Sequence, residues 1–235
     1  MKNIILKLRK KLKKNSDAKT RESFQRFFKE EVKFYGVRAG LVSKISKESF
    51  GEIKELSKKE IFSLCEELFR SGISEEAWIA ADWAERIKSR FTPGDFKIFE
   101  RWIGKYIDNW AKCDTLCNHA VGSFILKHPG FIKKLLAFTK SKNRWMRRAA
   151  AVTLIIPAKQ GKFLKEIFQI ADKLLLDSDD MVQKGYGWML KEASRKNEKQ
   201  VFDYVIKNKK TMPRTALRYA IEKMPEDLKK RAMEK

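Results

Sequence analysis

Apolar residues recur along this chain at steps of three and four, and nowhere alternate with polar ones for long enough to make a strand. Ile4, Ile5, Leu8 and Leu12 share one stripe with lysines opposite, which predicts an amphipathic helix over 3–12. A second helix is predicted over 18–32, burying Phe24, Phe27 and Phe28. The glycine in FYGVR, 34–38, then predicts a helix stop and a tight turn. Ser57 and Glu60 have capping-box spacing ahead of Ile61, Leu64, Cys65 and Leu68, and Gly72 stops that helix. Ser74 is expected to cap the next, which carries Trp78, Ala81, Trp83 and Ile87. Thr92, Pro93 and Asp95 mark another start, with Phe96, Phe99, Trp102, Ile103 and Tyr106 inward.

Asn109 opens a central segment, and Pro129 starts a helix with Ile132, Leu135, Leu136 and Phe138. Further helices are predicted over 143–156, ended by Pro157, and over 163–176, 179–195, 198–207, 213–223 and 225–233. Roughly a dozen helices joined by short turns predict an all-α chain, an α-solenoid in one domain over 1–235. Trp110, Trp145 and Trp188 recur at spacings near the ~40–47 residues of helical-pair repeats. A solenoid offers a concave face wide enough for a duplex.

Charge changes the picture from fold to partner. Lys and Arg number 53 against 30 Asp and Glu, a formal charge of +23. Such an excess points to a polyanion, nucleic acid first and an anionic membrane second. No apolar run is long enough to span a bilayer. The basic N-terminus lacks the long apolar core and cleavage site of a signal peptide. Three cysteines make no disulfide framework, which fits a reducing cytoplasm. Nothing predicts an obligate oligomer, and a monomer is expected.

Three stretches bring tryptophan beside polar groups. In NWAKCDTLCNHAVG, 109–122, Trp110 and Asp114 stand four apart, one helical turn, where a ring face and a carboxylate both favour positive charge. A core Trp beside a capping Asp is the plainer alternative. In NRWMRRAAAV, 143–152, Arg144, Arg147 and Arg148 precede small residues that permit close packing, and Arg148 lies one turn past Trp145. Guanidinium forks suit phosphate oxygens, although a solvated basic face has the same composition. In QKGYGWMLKEASR, 183–195, Lys184 adds a further cation for DNA. Gly185 and Gly187 cost helix stability, so either a ligand or a neighbouring helix approaches there, and Trp188 follows. Cys113, Cys117 and His119 crowd one segment without a structural zinc spacing, and there is no phosphate loop or dinucleotide fingerprint. Neither metal nor cofactor is expected.

FYGV, NWAKCDTL, GSFILKHP, NRWMRRAA and QKGYGWMLKE, in that order, together resemble the DNA alkylation repair family of HEAT-like-repeat DNA glycosylases, the AlkD type. The resemblance runs from about Phe24 to the C-terminal helices. It implies a HEAT-like superhelix with a concave basic face, acting on double-stranded DNA that holds purines alkylated at N3 or N7. It implies base excision without base flipping. The family's catalytic carboxylate falls on Asp114, its cradle tryptophans on Trp110 and Trp188, and its site arginine on Arg148. Its cleft tyrosine falls on Phe27, which keeps the ring and loses the hydroxyl. Some relatives that lack cleft residues bind DNA without excision. A non-catalytic protein that recognises distorted or branched DNA is therefore the alternative, and a protein-binding solenoid is a third possibility.

Overall fold

Side-chain caps at Asp17, Ser57, Asn109, Asn143 and Asp179 set where five of these helices begin. The structure, a computed structural model, describes residues 2–234. Among the described residues every regular element is helical and none is a strand. No helix is long and apolar enough to cross a membrane. The chain packs as two compact units, Met1–Leu116 and Cys117–Lys235.

The first unit holds α1 (Lys2–Lys14), α2 (Ala18–Gln25), α3 (Ala39–Gly51), α4 (Lys58–Arg70), α5 (Ser74–Arg86), α6 (Phe96–Tyr106) and α7 (Trp110–Thr115). Ile5, Leu8 and Leu12 are buried, as the stripe on α1 predicts. The Ser57–Glu60 capping box is present in full at α4, and Gly72 takes φ +73 just beyond its end. Thr92 and Asp95 form a second box before α6. The core is aromatic. Trp102 lies 5.4 Å from Phe62 and 5.1 Å from Phe69, and Phe91 lies 5.2 Å from Phe99. Each such ring, fully buried, stabilises by about 1.5–3 kcal/mol.

Three expectations for this unit are corrected. The helix predicted to reach residue 32 ends at Gln25, because two i→i+3 bonds, Phe27 N to Phe24 O and Phe28 N to Gln25 O, tighten its last turn. The Gln25 amide then closes the following loop, donating to Glu30 O at 2.8 Å and accepting from Val32 N at 3.0 Å. Phe27 is consequently 70% exposed instead of buried. FYGV neither stops a helix nor makes a tight turn; it is an irregular segment that begins nine residues past the end of α2. Ser74 is the first residue of α5 and not its cap, which is Ile73.

The second unit holds α8 (Gly122–Lys127), α9 (Ile132–Phe138), α10 (Arg144–Val152), α11 (Ile155–Lys159), α12 (Leu164–Leu174), α13 (Asp180–Ser194), α14 (Glu198–Asn208), α15 (Arg214–Ile221) and α16 (Glu226–Met233). A π-helical segment, Leu116–Val121, connects α7 to α8 and has no signature in the sequence. The single helix predicted over 143–156 is two. Its first part ends at Val152, and Pro157 sits in the opening turn of α11, where a missing N–H costs nothing.

α13 is the centre of this unit and packs against α10, α11, α12, α14 and α15. Close approach explains its two glycines. A Cβ on Gly187 would lie 2.7 Å from both Ala216 O and Tyr219 Cβ on α15. A Cβ on Gly185 would lie 3.3 Å from Arg148 Cγ on α10. The neighbours are helices of the fold itself. Gly187→Ala is therefore expected to destabilise by about 1–3 kcal/mol, because the clash involves backbone. Gly40→Ala on α3, where a Cβ meets nothing within 4 Å, should instead stabilise by a few tenths to about 1 kcal/mol. Urea unfolding of the two variants checks the contrast in sign.

Candidate functional site

Asn109 fixes the start of α7. Its Oδ1 accepts from Lys112 N at 3.0 Å, and the residue is fully buried. From that cap the helix runs through Trp110 and Asp114, so the two stand one turn apart as their spacing predicts. Both are partly exposed, while Ala111, Lys112 and Cys113 between them are buried. Lys112 is a buried cation that ties the helix down: its Nζ donates to Gly72 O at 2.7 Å and to Asp108 Oδ2 at 2.9 Å. Asp114 is thus a partly exposed residue on a firmly anchored turn.

The indole of Trp110 is held by the loop after α2. Its ring stacks on Phe28 with centroids 5.1 Å apart and planes 16° from parallel. Its Nε1–H donates to Phe27 O at 3.3 Å. Phe28 in turn packs on Phe34 at 5.5 Å, and Phe34 meets Phe24 and Trp78. Phe27 therefore contributes its carbonyl to this arrangement, while its own ring projects to solvent.

This loop is anchored by two carboxylates with no exposed surface, Glu75 and Glu76 in the first turn of α5. Glu75 accepts three backbone N–H bonds, from Tyr35 at 3.1 Å, Gly36 at 2.9 Å and Val37 at 3.1 Å. Glu76 accepts from the Tyr35 hydroxyl at 2.7 Å and from both Nε and Nη2 of Arg9. Burial, and then the hydrogen bond to Glu76, raises the Tyr35 phenol above its ordinary value, so it remains a donor. The same carboxylate raises Arg9. Gly36 is required here: φ is +86, and a Cβ would lie 2.3 Å from Asp17 O. The FYGV stretch earns its place by threading glycine and three amides past Glu75, which spacing alone does not reveal.

In the second unit, Arg148 is 5% exposed and its Nη1 donates to the carbonyl of Met181. The missing side chain of Gly185 makes room for it. Arg144 lies 3.0 Å from Asp179 and sits over the Trp145 ring at 4.6 Å, so the ring stacked beneath a guanidinium is paired with Arg144, where the sequence suggested Arg148. Arg147 makes a 2.6 Å ion pair with Asp177 and donates to Ser141 O. These two arginines brace the start of α10 against the turn before α13. Trp188 is partly exposed on α13, and Lys184 on the same helix lies 3.4 Å from Asp180. Cys113 and Cys117 are buried free thiols, and no group of three or more potential ligands among the described residues could hold a metal ion.

A family model described as DNA alkylation repair enzyme matches residues 8–224. The chain belongs to this DNA alkylation repair family. Its fold is also that of a solved structure described as a predicted DNA alkylation repair enzyme from Enterococcus faecalis. The TM-score is 0.81 at 19% identity, over 90% of this chain and 98% of that one. No curated protein matches the chain. For this member of the family, DNA alkylation repair is the activity class.

Two outcomes test the scaffold of the site. Glu75→Ala strips three buried amides of their acceptor and is expected to cost about 3–5 kcal/mol in urea unfolding. Asp17, the cap of α2, is held below its ordinary carboxylate value of 3.8 by hydrogen bonds from the Thr20 hydroxyl and amide. A depressed carboxyl stabilises above its unfolded value and loses that contribution as pH falls through the folded one. Hydrogen exchange at the Thr20 amide should therefore be slowed above pH 3.8 and lose its protection in more acid solution.

Proposed function

We infer that this protein is a DNA glycosylase of base excision repair, which hydrolyses the N-glycosidic bond of N3- and N7-alkylated purines in duplex DNA without flipping the base. The observation that carries this reading is the Trp110–Asp114 turn, with the indole fixed by Phe28 and the Phe27 carbonyl, in a chain of the DNA alkylation repair family.

Alkylation at N3 or N7 makes the purine cationic, so it needs no general acid to leave. The C1′–N bond breaks with its electron pair going to the purine, which becomes neutral. The sugar is left as an oxocarbenium ion. A carboxylate and an electron-rich ring face stabilise that charge as it forms. Asp114 supplies the carboxylate and Trp110 a ring face; Trp188, on the second unit, is given the same role by the family resemblance alone. Water then adds at C1′, and the proton it loses passes to Asp114 and on to solvent. A lesion read in the stack avoids the cost of full extrusion.

Arg148 is assigned to the DNA backbone near the lesion, with Arg144, Arg147 and Lys184 as further cations toward phosphate. Arg144 and Arg147 are paired with Asp179 and Asp177, and Arg148 is 5% exposed with Nη1 on the Met181 carbonyl, so each offers phosphate only part of its guanidinium. Phe27, exposed and without a hydroxyl, offers an apolar contact to the duplex. That same feature favours the second reading, a DNA-binding protein without excision.

Single-turnover release of 7-methylguanine from a duplex separates the two. Asp114→Asn is expected to slow release on the order of a hundredfold or more with duplex affinity retained. Equal rates for variant and parent would remove Asp114 from the chemistry. A parent that binds the duplex and releases nothing would leave the binding reading.

A further inference from the structure

Between Asp114 and Glu166 the chain has no acidic residue. Arg144 and Arg147 in this stretch find acids beyond it, at Asp179 and Asp177. Lys133 and Lys134 make no ion pair among the described residues, and with Lys127 they stand exposed around one turn, Pro129–Phe131. The turn lines a shallow depression of about 560 Å³ whose whole rim comes from residues 127–134, without one carboxylate. A comparable groove in the first unit shows what an ordinary charged surface of this protein looks like. There Lys58 pairs with Asp95 at 2.7 Å and Arg101 with Glu66, so two of the four lining cations are paired in place and carboxylates share the rim.

The turn is also rigid. Phe124 is fully buried, and the rings of His128 and Phe131 pack on it at 4.9 and 5.2 Å. His128 N donates to Phe124 O at 2.8 Å. Gly130, at the exposed tip, has no left-handed φ, and a Cβ there would meet nothing within 4 Å. Neither backbone nor packing requires a glycine, so its effect is to leave the tip bare. A fixed, bare tip ringed by lysines can be approached closely by an anionic chain with little ordering cost.

We propose that the turn around Gly130, with Lys127, Lys133 and Lys134, is a contact for the phosphate backbone of duplex DNA, formed wholly within the second unit. It rests on duplex DNA being the partner under the proposed function. It does not rest on the chemistry at Asp114; Lys127 lies in the GSFILKHP stretch, and Lys133 and Lys134 lie beyond it.

The test is the salt dependence of binding to an undamaged duplex. Each phosphate contact contributes about 0.9 to the slope of log affinity against log salt. Changing Lys127, Lys133 and Lys134 together to Gln is expected to reduce that slope by about 2–3 and to weaken binding on the order of tenfold or more near physiological salt. The same change at Lys54, Lys88 and Lys199, exposed lysines elsewhere, should leave the slope close to that of the parent. Gly130→Asp, which the open space accommodates, should weaken binding without lowering the melting temperature. A triple variant whose slope falls no more than that of the control, or a Gly130→Asp protein that binds as the parent does, overturns the proposal. So does a parent that ignores duplex DNA and uses these lysines on anionic phosphatidylserine vesicles. A parent that binds duplex DNA but releases no purine defeats the glycosylase reading alone and leaves this one standing.

Discussion

The Glu75 carboxylate, sealed from water and accepting three consecutive backbone amides, is the constraint on which the loop packed against Trp110 depends. An unpaired buried carboxylate costs several kcal/mol, but here hydrogen bonds at 2.9–3.1 Å replace the lost hydration. The positive end of the α5 dipole adds to that compensation. The result is an irregular segment as well defined as a strand. It fixes Phe34, which backs Phe28, which lies flat against Trp110. Glu76, Tyr35 and Arg9 extend the anchorage to α1. The orientation of an indole on α7 is thus set from α5 through a loop that belongs to neither.

The second unit reaches its order by a different route. Alanines at 149–151 and glycines at 185 and 187 let α10, α13 and α15 come together at backbone distance. Close packing of this kind leaves little room for a long side chain, and Arg148 occupies the room that Gly185 provides. Its guanidinium is kept polar by the Met181 carbonyl at the start of α13. A buried, hydrogen-bonded cation of this kind is held in one geometry. The costs are the helix-breaking tendency of two glycines and the desolvation of one arginine.

Charge is distributed unevenly between structural and open roles. The excess of +23 alone predicts a polyanion but not a surface. Arg9, Arg144, Arg147, Lys58 and Lys112 are engaged with carboxylates or carbonyls of the fold. Lys133 and Lys134, beside Gly130, make no ion pair among the described residues and stand on a turn whose rim has no acid.

Local signals in the sequence determined the all-helical class, the Ser57–Glu60 and Asn109 caps, the Gly72 stop, and the one-turn pairing of Trp110 with Asp114. Each depends on residues within one helical turn of one another, which is why spacing alone reads them. Its motifs also carried the family. Tertiary structure alone decided that α2 stops at Gln25 and sends Phe28 under Trp110 while Phe27 turns outward. It decided that Arg144, not Arg148, sits over Trp145, that Gly185 and Gly187 answer to neighbouring helices, and that the helix widens at Leu116–Val121. Several of those outcomes rest on partners about thirty to eighty residues away, such as Tyr219 for Gly187, Glu75 for FYGV and Trp110 for Phe28. Long-range hydrogen bonds and packing override local propensity there, because a buried amide or ring must be satisfied by whatever the fold brings to it.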